Sequence, residues 1–273
     1  MMRTLSFLKL PDRDAVCVAA ILALSIGTAH AVEPISTDRP DVVESSTVLE
    51  AGSVQLETSI ALAREARHEP RLRERSTPSL LRIGLGHDVE LRVETDGLMH
   101  SRYREDDGTT RTDTGTADTA LGLKWHVQDG GDTLSHPSLA WLVHVDTPSG
   151  TRPYHGQGLR PSLRMVAEWE WGPWGAGVMP GAFVEHDDAG HRYVGGIFAA
   201  MLGRDLTDRL RGFVELSAAQ LAKPEHGGND VSIDGGLAYL LSDTVQIDMA
   251  VARGLSDAAP RQQWTMGLSI RWD

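Results

Sequence analysis

Residues 262–272 read QQWTMGLSIRW, near the end of a chain of 273 residues. Apolar side chains occupy every second position of this stretch, at Trp264, Met266, Leu268, Ile270 and Trp272. Because successive side chains of a β-strand point to opposite faces, these five share one face of the predicted strand. Period two is also typical of a soluble β-sandwich, so the rest of the chain has to decide between the two classes.

The same stretch has a polar-x-Gly-x-x-apolar-x-aromatic spacing, which places Gly267, Ile270 and Trp272 after a polar Thr265. This spacing resembles the C-terminal signal by which outer-membrane barrels are recognised for insertion. It implies a transient partner, the barrel-assembly machinery. Membrane barrels end on a strand because the sheet has to close on itself.

Residues 1–31 read as a secretory signal peptide. Basic residues precede an apolar run over 15–26, and Ala29-His30-Ala31 is a small-x-small cleavage site. The run is shorter than the about 18 apolar residues of a spanning helix; a short membrane anchor is the alternative. Cys17, the one cysteine of the chain, lies inside this segment, so the mature protein is expected to have no thiol chemistry.

Composition excludes several classes of protein. The net charge of −12 argues against a nucleic-acid partner, whose phosphates need Lys and Arg contacts. No second long apolar run is present, which excludes a helical membrane protein but not a barrel, whose strands are half polar. The paired glycines Gly195-Gly196 and Gly235-Gly236 match no phosphate-binding pattern, and no cofactor is expected.

The mature chain contains segments that read as strands, separated by connections rich in Gly, Pro, Asp, Asn and Ser. Tight connections such as 242–244 alternate with longer polar loops such as 64–76 and 98–117, which is typical of an outer-membrane barrel. The predicted fold is all-β: a transmembrane antiparallel up-and-down β-barrel of about 12 strands, with both termini in the periplasm. The predicted organisation is a signal peptide over 1–31, an N-terminal periplasmic or plug segment over 32–51 and a barrel over 52–273. The predicted strands are 53–63, 77–86, 89–97, 118–128, 137–146, 160–170, 174–184, 192–204, 209–220, 230–241, 245–254 and 262–272.

The alternation also predicts which side chains face the barrel lumen. In Val89-Glu90-Leu91-Arg92-Val93-Glu94, turning Arg92 towards lipid would cost about 2–4 kcal/mol near the midplane. Segment 192–204 is apolar on both faces and is left unassigned. Acids outnumber bases on the predicted inward faces, which indicates a restricted pore that prefers cations or neutral solutes; the alternative is that these charges only stabilise a closed barrel. The inward side chains are Glu57, Arg82, Glu90, Arg92, Glu94, Lys124, His126, His144, Asp146, Arg164, Glu168, Glu170, Arg211, Glu215, Asp234, Asp248 and Arg271.

Most tryptophans are predicted to point outward, with Trp169, Trp171, Trp174 and Trp272 near the periplasmic end as an aromatic girdle. No cluster of inward-facing aromatic residues is evident.

The motif Asp38-Arg39-Pro40-Asp41 lies between the cleavage site and the first strand. Pro40 fixes its own φ and disfavours a helical conformation at Arg39. A buried Arg pairs with acids through its planar guanidinium. We expect this segment to fold into the periplasmic mouth as a partial plug, with Asp38, Arg39 and Asp41 meeting lumen charges. A solvated, flexible tail is the alternative.

Three short motifs resemble a known family: TDRPD at residues 37–41, ES at 44–45 and GSVQLE at 52–57. They are similar to the start of the bacterial outer-membrane barrels called "putative MetA-pathway of phenol degradation". This resemblance implies an outer-membrane barrel and the passage of small compounds, often aromatic or hydrophobic.

Catalysis and metal binding have weak signals. His144 and Asp146 lie two apart on one predicted strand but without a serine partner on that face, so no nucleophilic site is expected. The loop residues 186–191, HDDAGH, include metal-ligand types, but a fourth ligand is not evident and no metal is expected. The sequence therefore predicts a protein that is not an enzyme.

The expected function is a channel or transporter of the cell outer membrane for passive passage of small solutes, including hydrophobic or aromatic ones. Its expected partners are outer-membrane lipid and a small-molecule solute. A non-conducting structural or surface-interaction barrel is the first alternative, and a secreted soluble β-sandwich that binds a ligand is the second.

Overall fold

Antiparallel strands make up most of the chain in the computed structural model, which describes residues 33–64, 72–104, 107–187 and 189–273. The predicted signal peptide lies outside this part of the chain. Within the described ranges, no helix is both long and apolar enough to cross a membrane. The strands are β1 (Val54–Arg64), β2 (Arg73–Ser76), β3 (Ser79–Gly86), β4 (Val89–Thr95), β5 (Leu98–Arg104), β6 (Thr110–Thr116), β7 (Thr119–Gln128), β8 (Ser138–Thr147), β9 (Arg160–Trp171), β10 (Trp174–His186), β11 (Arg192–Thr207), β12 (Leu210–Leu221), β13 (Asp230–Ser242), β14 (Val245–Gly254) and β15 (Gln262–Trp272).

One sheet closes on itself. Among the described residues it has 15 strands, of which 12 form a closed barrel in the order β1-β3-β4 and then β7 to β15, with β15 pairing back onto β1. The closing pair runs along the whole of β1, from Val54 opposite Trp272 to Arg64 opposite Gln262. Closure leaves no unpaired edge in the barrel wall. The predicted fold class is confirmed, and a single closed sheet replaces the two packed sheets of the sandwich alternative.

Three strands lie where loops were predicted. β2 falls within 64–76, and β5 and β6 fall within 98–117. They extend the sheet beyond the barrel rim in the order β1-β2-β5-β6. The prediction missed them because it depends on apolar alternation, which these short strands lack: β2 reads RERS and β6 reads TRTDTGT.

The outer surface of the barrel is apolar. In β7, Leu121 and Trp125 are 52% and 54% exposed, whereas Lys124 between them is fully buried. Exposed aliphatic and indole side chains recur on the outward face of most barrel strands. This inversion of the pattern of a water-soluble protein is typical of a barrel whose exterior meets hydrocarbon.

The two ends of the barrel differ. Trp171 and Trp174 flank the tight β9–β10 turn, and Trp272 ends β15 at the same end, where β1 begins. The opposite end has the longer connections and the β2-β5-β6 extension. Since outer-membrane barrels have short periplasmic turns and longer outer loops, we name these the periplasmic end and the extracellular end.

Pairing also assigns β11, which the sequence left open. Val194, Phe198 and Leu202 are exposed on the outward face, while Tyr193 and Met201 are buried on the inward face. Inward apolar side chains of neighbouring strands form one cluster with a residue that precedes β1: Val43, Leu142, Val166, Met179, Ala199, Met201, Phe213 and Ala250.

An arginine on the outward face should be costly in proportion to its depth. Leu237→Arg, in the middle of β13, is expected to lower the free energy of unfolding in phospholipid vesicles by about 2–4 kcal/mol. Leu241→Arg, one residue before the end of β13, should lower it by about 0–1 kcal/mol because the arginine reaches water. Urea titration followed by tryptophan fluorescence measures both. Equal losses at the two positions would contradict an exterior that faces hydrocarbon.

Candidate functional site: the barrel interior

Residues 34–52, the N-terminal segment, run through the inside of the barrel. The Ile35 N–H donates to the carbonyl of Asp243 at the periplasmic end, over 2.7 Å. Further along, the segment bonds inward side chains of strands on all sides of the barrel. A segment that reaches opposite walls of a closed sheet has to lie within it. The wall residues bonded are Glu57, Arg82, Glu90, Arg92, Lys124, Arg164, Glu168, Glu215, Gln246 and Asp248.

Asp38 is the central contact of the N-terminal segment. Its carboxylate lies 2.6 Å from Arg92 Nη1, 2.9 Å from Lys124 Nζ and 3.5 Å from Arg82 Nη1. These cations stand on β4, β7 and β3, which are neighbours in the wall. Asp38 is 6% exposed and the cations are buried. A buried charge is tolerated only where opposite charges and hydrogen bonds compensate its desolvation.

Other carboxylates complete this contact. Glu44 lies 2.7 Å from both Arg92 Nη2 and Arg164 Nη1, so it joins β4 to β9. From the wall itself, Glu90 accepts from Arg82 Nε over 2.9 Å, and Glu57 lies 3.2 Å from Arg82 Nη1. We call this group the interior ion cluster. Its members are Asp38, Glu44, Glu57, Arg82, Glu90, Arg92 and Lys124.

The opposite wall holds the same segment through acids. Arg39 Nη2 lies 3.2 Å from Asp248 Oδ1 on β14. The backbone N–H groups of Val42 and Val43 donate to the Glu215 carboxylate over 2.7 and 3.0 Å. The interior is therefore polarised: cations on β3, β4 and β7 bind carboxylates and backbone carbonyls of the segment, and acids across the lumen bind Arg39 and backbone N–H groups.

Glycines in the wall permit this close approach. A Cβ atom at Gly177 would lie 2.7 Å from Val43 Cγ1, and one at Gly267 would lie 2.7 Å from Arg39 Nε. Glycine inside a strand often marks a place where another part of the chain comes close. Gly267, predicted as part of an insertion signal, thus also lies against the N-terminal segment; Ile270 and Trp272 point outward from β15.

The remaining predicted residues lie at the margins of this arrangement. His126 Nδ1 is 2.9 Å from the carbonyl of Ser46. Glu94 is 3.8 Å from His144 Nε2, and Asp146 is 4.0 Å from Arg160. Asp234 is 3.4 Å from Ser217 Oγ, away from the cluster. Asp41 is half-buried in the segment and makes no ion pair with any residue that the structure describes.

The structure corrects one detail about His144. Ser162 lies directly opposite it on β9, although no serine partner was expected on that face. No hydrogen bond joins the two side chains: His144 Nε2 is 3.2 Å from Arg92 Nε, and the Ser162 hydroxyl has no partner within the described chain. Nor does that part of the chain contain a group of three or more His, Cys, Asp or Glu side chains suited to a metal. Asp188 of the loop 186–191 lies outside it.

Sequence reasoning missed an aromatic group on the inner wall near the extracellular end. The Tyr193 ring stacks on His226 with centroids 4.4 Å apart, and its edge meets Phe183 at 6.1 Å. The expectation of no inward aromatic cluster was wrong because it depended on the tryptophans, most of which point outward, and because β11, which carries Tyr193, was left unassigned. Glu44 was missed as well, since it precedes the first strand and has no alternation to place it.

Two chambers lie on either side of the N-terminal segment. A periplasmic chamber of about 1050 Å³ is lined by the segment and by the turns after β9 and β11. An extracellular chamber of about 540 Å³ is lined by more acids than bases. Its charged lining residues are Glu94, Asp96, Asp118, Asp146, Arg160, Arg164 and Glu185.

The loop between β8 and β9 closes over the extracellular chamber through Asp118. This carboxylate accepts from Gly150 N–H over 2.7 Å, from Gly156 N–H over 2.8 Å and from Arg160 Nη2 over 2.7 Å. Burial raises the pKa of Asp118, but these donors outweigh it and hold the pKa below its usual value. The loop is therefore anchored by an ionised carboxylate at neutral pH.

The family described as "Putative MetA-pathway of phenol degradation" matches residues 37–272. The chain belongs to this family. The match begins inside the N-terminal segment and ends in β15, so it includes both the interior ion cluster and the barrel. The resemblance inferred from residues 37–57 is confirmed. None of the curated proteins matches this sequence.

Solved structures share the fold. An outer-membrane channel of Pseudomonas putida F1, described as COG4313, superposes with a TM-score of 0.63 at 11% identity, covering 84% of this chain and 98% of that one. The NanC porin superposes with a TM-score of 0.50 at 10% identity, covering 79% and 98%. With its closed sheet and apolar exterior, the protein is a β-barrel of the cell outer membrane.

Removing the charge of Asp38 should free the N-terminal segment. Asp38→Asn leaves Arg92, Lys124 and Arg82 with too little negative charge. Breaking a buried ion pair costs about 3–5 kcal/mol, so we expect a loss of that size in the free energy of unfolding. Heat-dependent gel migration and urea titration measure it. Asp41→Asn, the same change three residues away, is the control and should cost much less. Equal losses would contradict the central place of Asp38.

Proposed function

We propose that the protein is a passive channel for small solutes and that the N-terminal segment is a plug resident in its pore. The observation that carries this proposal is the position of the segment between two chambers that together extend towards both ends of the barrel. The fold is one that outer-membrane channels and porins use. Passive passage requires only a continuous path through the barrel, and the proposal includes no energy-coupling element.

The plug makes the pore restricted rather than wide. Asp38 and Glu44 bridge the segment to β3, β4, β7 and β9, while Glu215 and Asp248 hold it from the other side. A cavity of about 200 Å³ continues beside it, lined by Asp38, Glu44 and residues of β3 and β4. Solutes would have to pass along this side or wait for the segment to shift.

The lining supports a neutral or cationic solute with an apolar part. Acids outnumber bases around the extracellular chamber, which favours cations and disfavours anions. The apolar cluster around Val43 and the Phe183–Tyr193–His226 group offer contact surface to hydrophobic or aromatic molecules. The family description, which refers to phenol degradation, agrees with that solute class.

A non-conducting barrel is the second candidate function. The observation that favours it is the extent of compensation in the interior ion cluster, where every cation has at least one carboxylate within 3.2 Å. Such a network stabilises a filled barrel without requiring flow. The protein would then serve as a structural or surface-interaction element of the outer membrane.

Deleting residues 35–42 distinguishes the two. If the segment is a plug, the deletion should raise single-channel conductance in planar bilayers several-fold, because it removes Asp38, Arg39 and the approach of Val42 to Glu215. The wild-type protein should show small or infrequent openings. Glu50→Gln, an exposed change in the same segment, should leave the conductance unchanged.

A second variant keeps the test informative if the deletion folds poorly. Gly177→Leu retains every charge but places a side chain where Val43 packs, so it should also raise conductance. Closed traces for the wild type, the deletion and Gly177→Leu alike, in barrels shown to be folded by heat-modifiable migration, would favour the non-conducting alternative.

Ion selectivity tests the acidic lining. In a gradient of KCl, the reversal potential should have the sign that indicates preference for K⁺ over Cl⁻. Asp146→Asn, in the extracellular chamber, should reduce that preference, whereas Asp107→Asn in an exposed loop should not. A preference for Cl⁻ in the wild type would contradict the proposed lining.

A further inference from the structure

A row of arginines stands on the outward face at the extracellular end. In the β1-β2-β5 extension, Arg64 is directly opposite Arg73, and Arg73 is directly opposite Arg102. All three side chains are exposed. Arg75 on β2, Arg104 on β5 and Arg253 on β14 stand at nearby positions on the same outward face of the sheet. We call these six residues the arginine patch.

Among the residues that the structure describes, the patch has no counter-charge of its own. Like charges directly opposite on neighbouring strands destabilise a sheet. None of the six arginines makes an ion pair with a carboxylate in the described part of the chain. Glu74, the acid between Arg73 and Arg75, points the other way and accepts from the Ser101 hydroxyl over 2.9 Å. The row is therefore open to an anion that offsets this repulsion.

The arginine patch begins where the apolar exterior ends. Leu62 pairs with Trp264, both exposed and outward, and the next outward pair along the strands is Arg64 with Gln262. Two residues of a strand span about 7 Å, so the guanidinium groups lie just beyond the last hydrocarbon-facing side chains. That depth is the depth of lipid headgroups.

A concave site marks the junction. A cavity of about 610 Å³ opens there, lined by arginines together with Leu72 and Val251. The lining arginines are Arg64, Arg73, Arg253 and Arg261. Apolar atoms on the membrane side and guanidinium groups on the water side suit an amphiphile with an anionic head.

We propose that the arginine patch binds the phosphate groups of a phosphorylated lipid of the outer leaflet. Guanidinium groups bind phosphate through paired N–H donors, and several can converge on one headgroup. The acyl chains would lie along Leu62, Trp264 and Val251. A free phosphate would make no contact with these apolar side chains. An acidic protein could bind the patch at any depth, so it would not explain why the patch lies at the depth of the headgroups. This inference is independent of whether the barrel conducts.

The test titrates the full-length protein in detergent with bisphosphorylated lipid A and with its dephosphorylated form, scored by native mass spectrometry. The triple variant Arg64→Gln, Arg73→Gln, Arg102→Gln should bind the bisphosphorylated lipid about 100-fold more weakly, at about fivefold for each arginine. The control triple Arg152→Gln, Arg204→Gln, Arg209→Gln removes the same charge from exposed sites in the β8–β9 loop and at the periplasmic end, and it should bind like the wild type. Dephosphorylated lipid A should bind weakly to all three proteins.

Thermal stability gives a second readout that a merely structural role of the arginines would not produce. Without lipid A, the patch variant should unfold at the same or a higher temperature than the wild type, because repulsion is relieved. With bisphosphorylated lipid A, the wild type should gain stability and the patch variant should not. Equal binding by patch and control variants, indifference to the phosphates, or destabilisation of the patch variant without lipid would each overturn the proposal.

Discussion

The buried cations Arg82, Arg92 and Lys124 place the strongest constraint on this structure. Strand alternation turns them inward because their neighbours in sequence are apolar and have to meet lipid. Once inside, they need negative charge at contact distance, since desolvating an unpaired cation costs far more than a single hydrogen bond returns. Glu57 and Glu90 supply part of it from the wall. Asp38 and Glu44 supply the rest, and they bring the N-terminal segment into the lumen with them.

The exterior follows from the same alternation. Each polar position that faces the lumen is paired with an apolar position that faces hydrocarbon, so interior and exterior cannot be altered independently by a shift of register. Where the hydrocarbon ends, the outward positions change from Leu62 to Arg64 without any break in β1. The sequence of β1 therefore marks the membrane boundary. The arginine patch lies beyond this boundary on the outer face of the sheet, and the interior ion cluster lies on its inner face.

Much of this could be predicted from the sequence, because period two determines both strand position and facing. The inward placement of Arg92 and Lys124 and the outward placement of Leu121 and Trp125 need only local pattern. What could not be predicted depends on which strands become neighbours. That Asp38 meets Arg92, or that Ser162 faces His144, is set by the stagger of the closed sheet. The strands β2, β5 and β6 were missed because their sequences do not alternate regularly between apolar and polar residues. Tyr193 was missed because β11 is apolar on both faces.

The way in which the segment is held limits how it can move. On the far wall, Glu215 binds backbone N–H groups, which any sequence would offer. The cations also bind backbone carbonyls, but their ion pairs require the particular carboxylates of Asp38 and Glu44. Salt screens exposed charges well and buried pairs poorly. Ionic strength should therefore change the stability of these buried ion pairs only slightly. A neutral solute carries no charge to replace Asp38. In the proposed channel, such a solute would therefore pass beside an anchored segment, with Val42 and Val43 yielding locally while the ion cluster stays in place.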